Sequence, residues 1–173
     1  RDRAYALCRP PGHHCLPDWP NGCCLLANIA VGVEAALASG AASRVAVLDW
    51  DVHHGNGTEA IFYERSDVLT VSIHQARNYP LDSGDFSDRG RDAGDGFSLH
   101  IPLAPGCGHV AWMAALERLA LPAIANFRPD IFVVASGYDA SAVDPLGRMV
   151  LGAGSFAAMT AATLALANDI EDG

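Results

Sequence analysis

Lysine is missing altogether: all eleven basic residues are arginine, and they face twenty acidic ones for a net charge of −9. So acidic a chain repels nucleic-acid phosphates, which argues against DNA or RNA as a direct partner. A cationic substrate, such as a basic peptide tail or a polyamine, suits this field better. Composition alone favours the plainer reading, a solubility charge, and the preference for arginine reads as genome composition. Cysteine is sparse, five residues with no C-x-x-C pair, so neither a disulfide frame nor a thiolate zinc site is indicated. Reduced thiols in a cytoplasmic setting are the expectation. No apolar run reaches the roughly 18–20 uninterrupted residues of a membrane helix, and no membrane partner is expected. The chain opens on Arg1-Asp2-Arg3 with neither an initiator Met nor a signal-like apolar stretch, which fits a start inside a larger protein.

What is present suits one well-packed domain over residues 1–173: half of the residues are hydrophobic and 18 % charged. Ala4–Cys8, Arg44–Leu48, Val68–Ile73, Phe97–Leu103 and Asp130–Ala135 read as strands, several apolar on both faces as in a buried parallel sheet. Helices are expected at about Cys24–Ser39, Thr58–Glu64, Val110–Asn126 and Ser155–Asn168. Their alternation argues for a three-layer α/β domain with a mainly parallel sheet. Gln75 to Gly96, rich in Gly, Asp, Arg and Ser, is too long and polar for a simple connection and reads as a functional loop.

Polar residues gather at the C-terminal ends of the expected strands, the edge where open parallel sheets bind ligands. In Asp49-Trp50-Asp51-Val52-His53-His54-Gly55-Asn56-Gly57, extended chain puts Asp49, Asp51 and His53 on one side and Trp50 and Val52 on the other. A carboxylate and an imidazole at that spacing can grip one ion; they can equally be a strand-end cluster of caps and turns. Asp139, in Ser136-Gly137-Tyr138-Asp139-Ala140, is by itself an ordinary turn residue. With Asp51 and His53 it makes a set suited to Zn²⁺ or Fe²⁺, with room left for water and substrate. Arg9-Pro10-Pro11-Gly12 sets a rigid pedestal for His13 and His14. Those rings can be metal ligands, idle loop residues, or proton carriers beside a metal-activated water.

R-P-P-G-H-H at 9–14, G-C-C-L-L-A-N at 22–28, D-W-D-V-H-H-G-N-G at 49–57, S-I-H-Q at 72–75 and S-G-Y-D-A-x-x-x-D-P-L-G at 136–147 together resemble the histone deacetylase family, nearest its class II and bacterial amidohydrolase branch. The resemblance covers Tyr5 to about Asp169 and implies an arginase/deacetylase-like fold. It implies one Zn²⁺ per chain on Asp51, His53 and Asp139, with His14 as general base and His13 as its electrostatic neighbour. Asp49 and Asn56 would support the two histidines. A monovalent cation, K⁺, would sit at Asp49, Asp51, His53, Ser72 and Ile73. The substrate would be an acyl-lysine side chain or an acetylpolyamine, in a pocket lined by Gly22, Cys23, Tyr79, Pro80 and Leu146.

Departures qualify the match. Cys23 stands where the family has a tunnel-lining aromatic, and His100 where Asn is common. The family's oxyanion tyrosine lies in an E-G-G-Y motif on the strand that would follow Gly173. The family's N-terminal strand and rim loops would precede Arg1. A domain truncated at both ends is therefore expected, with open sheet edges that favour a homo-oligomer. Two other readings stand beside the deacetylase one: a non-catalytic metal-binding remnant, and a two-metal ureohydrolase of the arginase type, told apart by one bound metal against two.

Overall fold

The computed structural model describes residues 3–172. In chain order the elements are α1 (Asn28–Ala38), β1 (Val45–Asp49), α2 (Asn56–Phe62), β2 (Val68–Gln75), β3 (Ser98–Leu103), α3 (His109–Ala115), α4 (Leu121–Phe127), β4 (Ile131–Ala135) and α5 (Ala153–Asp172). The strands form one parallel sheet in the order β3-β2-β1-β4. The chain runs outward from β1 through β2 to β3, then returns to place β4 on the other side of β1.

β1 is buried at every residue, and its alternation sorts the molecule into layers. Ala46 and Leu48 join Trp50, Val71, Ile73 and the α3–α5 face in one core; Val45 and Val47 join Val33, Phe62 and Val68 under α1 and α2 in the other. Helices on both faces of a parallel sheet make the three-layer α/β architecture. α3 and α4 are one continuous run joined by a π turn over Leu116–Ala120. Pro122 lacks the N–H that would bond the Arg118 carbonyl, and the wider turn absorbs that defect. The run His109–Phe127 has a mean hydropathy of 1.2, apolar and long enough to cross a membrane. Here its fourfold-spaced stripe Trp112, Leu116, Ala120 and Ile124 is fully buried against the rest of the core.

Two expected elements are corrected. Ala4–Cys8 is not a strand: among the described residues it pairs with no strand, and Tyr5 at 69 % and Leu7 at 91 % exposed bury no face that would hold it to the sheet. α1 begins at Asn28, not Cys24, because Asn21 and Cys24 exchange backbone hydrogen bonds across a tight turn that helical geometry cannot contain. The side chain of Asn28 then ties the helix start to the Pro10 carbonyl at 2.6 Å. The remaining elements match their expected spans to within a few residues, α5 running longer at both ends.

Candidate active site

Because β4 lies across β1 from β2, the loops leaving β1 and β4 lead to opposite faces of the sheet, and their seam is the place where open parallel sheets form a ligand cleft. The chain beyond β1 is shaped by its own acids. Asp49 Oδ1 accepts from the Asp51 N–H at 3.0 Å, and Asp51 Oδ1 from the His53 N–H at 2.8 Å, two successive Asx-type turns. Trp50 and Val52 meanwhile stay in the core. From β4, Asp139 Oδ1 accepts from the Val52 N–H at 2.8 Å, which locks the two loops together.

The result brings Asp51, His53 and Asp139 to one point. His53 Nδ1 lies 2.9 Å from Asp51 Oδ1 and 3.0 Å from Asp139 Oδ2. A tetrahedral zinc with bonds of about 2.05 Å has ligand atoms about 3.3 Å apart, so the spacing and the donor set both fit that ion. Burial opposes a charge on His53, yet the bonds to Asp139 and Asp51 outweigh it and raise its pKa to about 10, a measure of how strongly this corner attracts a cation. Gly137 makes the approach possible: a Cβ there would lie 2.4 Å from Asp51 Oδ2 and 2.7 Å from Asp51 Cα and Cβ.

His13 and His14 are both buried, their ring centroids 4.0 Å apart. His13 Nδ1 donates to Asp49 Oδ2 at 2.8 Å. Burial pushes His13 down, but the charge and hydrogen bond of Asp49, helped by Asp51 and Asp139, hold it up at about 9. His14 goes the other way: burial and then the charge on His13 lower it to about 4. Its Nδ1 pairs with Asn56 Oδ1 at 2.7 Å, an acceptor, so the proton sits on Nδ1 and Nε2 keeps a free lone pair. One ring of the pair is thus cationic and the other neutral at pH 7. His14 lies 5.8 Å from the His53 ring, centroid to centroid.

Gly22 packs directly on His14: at φ +55° it holds a left-handed conformation, and a Cβ would meet His14 Cδ2 at 2.6 Å. The Tyr79 ring stands edge-on to His14 at 5.0 Å, its hydroxyl donating to Asn21 and accepting from the Gly22 N–H at 3.0 Å. Pro80, half-buried, accepts a hydrogen bond from Ser83. Cys23 is exposed beside Gly22, and Leu146 is exposed on a loop whose backbone is held by Asn78. Asp49 and Ser72 are register partners on β1 and β2, and the Ser72 hydroxyl shares a hydrogen bond of 2.9 Å with His74. Ile73 is fully buried beside them.

Sequence reasoning gave no role to Gly137, Asn21 or Cys24, whose sulfur accepts from the His14 N–H at 3.4 Å. Asn21-Gly22 is a turn signal that could have flagged the first of these contacts. Nothing local marks Cys24 as buried.

Residues 1–172 match the family model described as "Histone deacetylase domain". A histone deacetylase-like amidohydrolase of Pseudomonas aeruginosa is 59 % identical over 160 residues, which are 92 % of this chain and 42 % of that protein. Acetylpolyamine amidohydrolase 1 of the same organism is 47 % identical over 150 residues, 86 % of this chain and 43 % of its own length. Among solved structures, an acetylpolyamine aminohydrolase from Burkholderia pseudomallei superposes with a TM-score of 0.81 at 40 % identity, covering 85 % of this chain and 43 % of that one. The chain thus spans less than half the length of each of these three proteins.

Proposed function

Because the chain belongs to the histone deacetylase family, we propose that it carries the metal centre and proton-transfer pair of a zinc-dependent hydrolase of N-acyl amines. The observation that carries this reading is the neutral His14, Nε2 unencumbered, beside the convergence of Asp51, His53 and Asp139. These three residues would hold one Zn²⁺, which when bound supplies Lewis acidity to an amide carbonyl and a water.

The chain's own groups do the rest. His14 takes a proton from the attacking water at Nε2 and returns it to the leaving amine. His13, cationic against Asp49, keeps His14 neutral and places positive charge beside the developing negative one. Tyr79 and Gly22 form a wall that fixes the His14 ring. The monovalent cation is proposed on the family resemblance, at Asp49, Asp51, His53, Ser72 and Ile73. The substrate proposed is an acyl-lysine side chain in preference to an acetylpolyamine, since the exposed apolar Leu146 offers a distal ammonium no partner.

Metal binding is the primary test. The chain should bind zinc at Asp51, His53 and Asp139, and Asp139→Asn should abolish that binding while the fold, followed by far-UV circular dichroism, persists. His14→Ala should keep the metal and, in any preparation that cleaves a fluorogenic acetyl-lysine amide, lower turnover by about 10²–10⁴-fold. Zinc binding that is indifferent to Asp139→Asn defeats the proposal.

A further inference from the structure

Beneath α2, on the other side of Asp49 from the cleft, the sheet is unexpectedly polar. Thr70, Ser72 and His74 of β2 and Ser98 and His100 of β3 all face the helix and are all buried. Most of this stripe satisfies itself: Thr70 and Ser98 share a hydrogen bond of 3.1 Å, and His74 is engaged by Ser72 and by the Gly84 carbonyl. Three side chains do not fit that scheme.

His54 is 2 % exposed, and its Nδ1 lies 2.9 Å from Ser83 Oγ. With the Ser83 hydroxyl directed to the Pro80 carbonyl at 3.4 Å, its oxygen is free to accept from His54 Nδ1–H, the tautomer that turns the Nε2 lone pair inward. That Nε2 has no hydrogen-bond partner and faces Glu59 Oε2 at 3.6 Å. His100, 4 % exposed, has no hydrogen-bond partner at either nitrogen. Its Nε2 lies 2.9 Å from Glu59 Oε1, but off the line that a hydrogen bond requires. Two imidazole nitrogens without hydrogen-bond partners thus converge with a carboxylate in a nearly dry interior, which is costly unless a cation lies among them.

We propose that His54, Glu59 and His100 form a second, structural divalent-metal site, distinct from the one in the cleft. The donors are two imidazole nitrogens and one carboxylate oxygen, a set typical of zinc. One donor atom from each lies within 4.8 Å of the other two, and the Glu59 carboxylate spans the rings, with Oε1 2.9 Å from His100 Nε2 and Oε2 3.6 Å from His54 Nε2. A cavity of about 10 Å³, lined by these three with Asp49, Thr58, Thr70 and Ser72, adjoins them. It has room for a single water as fourth ligand and none for a substrate, so the site is structural. Ser83 orients His54 from behind, the second-layer bond that metal-bound histidines characteristically make.

The ion would join the loop after β1, helix α2 and strand β3. Asn56, which holds His14, lies between His54 and Glu59 in the chain, so bracing this corner also steadies the base. The two ligand sets share no residue. Two metals per chain would therefore not signal the close-coupled pair of a ureohydrolase.

The test strips the full chain with a chelator, reloads it with Zn²⁺ or Co²⁺, and counts metal by elemental analysis. Wild type should hold two ions per chain, His100→Asn and Asp139→Asn one each, and the double variant none. The Asp139→Asn protein should still show the visible bands of four-coordinate Co²⁺ and should melt higher with metal than without. Should His100→Asn fail to fold, anomalous scattering from wild-type crystals at the zinc edge decides, with a peak expected between His54, Glu59 and His100. No ion in Asp139→Asn, two in His100→Asn, or no peak at that position would overturn the proposal. A single ion in wild type that Asp139→Asn retains and His100→Asn loses leaves this site standing and counts only against the proposed hydrolase centre.

Discussion

Gly137→Ala tests whether the cleft depends on how closely β1 and β4 approach. The added methyl would stand 2.7 Å from Asp51 Cα and Cβ and 2.4 Å from its Oδ2. Carbon atoms pack best at roughly 3.5 Å or more, so the seam must open by about 0.8 Å. None of the obstructing atoms is the free end of a flexible chain: two belong to the Asp51 backbone and its first side-chain carbon, and the carboxylate is held by His53. Metal centres tolerate displacements of only about 0.2 Å, and Asp139 lies two residues beyond the insertion. Zinc affinity should therefore fall by at least about 10–100-fold, the usual loss when a metal's supporting shell is disturbed. Overpacking of this kind costs about 1–3 kcal/mol, or a fall in Tm of about 2–12 °C for a chain of this size. Affinity is read by competition with a chromophoric chelator and stability by calorimetry. Gly154→Ala is the control: it lies in α5 with open space around it, so it should stabilise by about 0.5–1 kcal/mol and leave zinc binding unchanged. Wild-type affinity and melting in Gly137→Ala would refute the close-approach argument.

Three other substitutions probe other parts of the molecule. Leu48→Ala removes a fully buried side chain from the central strand and should destabilise by about 2–5 kcal/mol in urea unfolding, with an unchanged m-value. The Asp130 carboxylate accepts from the Ser43 and Arg44 N–H groups at 2.7 and 2.9 Å, bonds that hold its pKa below the usual carboxylate value. Its contribution is thus complete above the unfolded-state pKa and lost as the pH falls through the folded one. Asp130→Asn should destabilise at pH 7, and the gap between variant and wild type should close as melts are taken below pH 4. Leu146→Glu should shift competition kinetics towards acetylpolyamine, and a strong polyamine preference with Leu146 intact would contradict the proposed role of this position.

The sheet and the placement of Asp49, Asp51 and His53 at the end of β1 were legible because their signals are local. D-x-D-x-H fixes its own alternation, and apolar runs such as Val45–Asp49 announce a strand buried on both faces. Ala4–Cys8 misled for the same reason. Its pattern is strand-like, but pairing is decided by long-range packing that no local pattern carries, and none of its residues sits in the ladder. The start of α1 failed because Asn21–Cys24 closes a turn whose backbone bonds no propensity reveals. Least legible was the cluster under α2. His54, Glu59 and His100 come from a loop, a helix and a strand, and no sequence spacing unites them. His100 did stand out as an oddity, but only its missing partners give the oddity a meaning.

The Asp139 carboxylate bonds the Val52 backbone across 87 positions of sequence, and this separation sets an order in time. During synthesis Asp51 and His53 emerge long before Asp139, at a stage when β4 has yet to be made. A nascent chain can offer a passing ion only two of the three proposed ligands, and the weak grip of two lets it go. The third arrives once β4 has crossed back beside β1, a long-range step that is among the slower ones in folding. If the proposed zinc binds at the cleft, its capture would register that β4, the last strand in the chain, has docked.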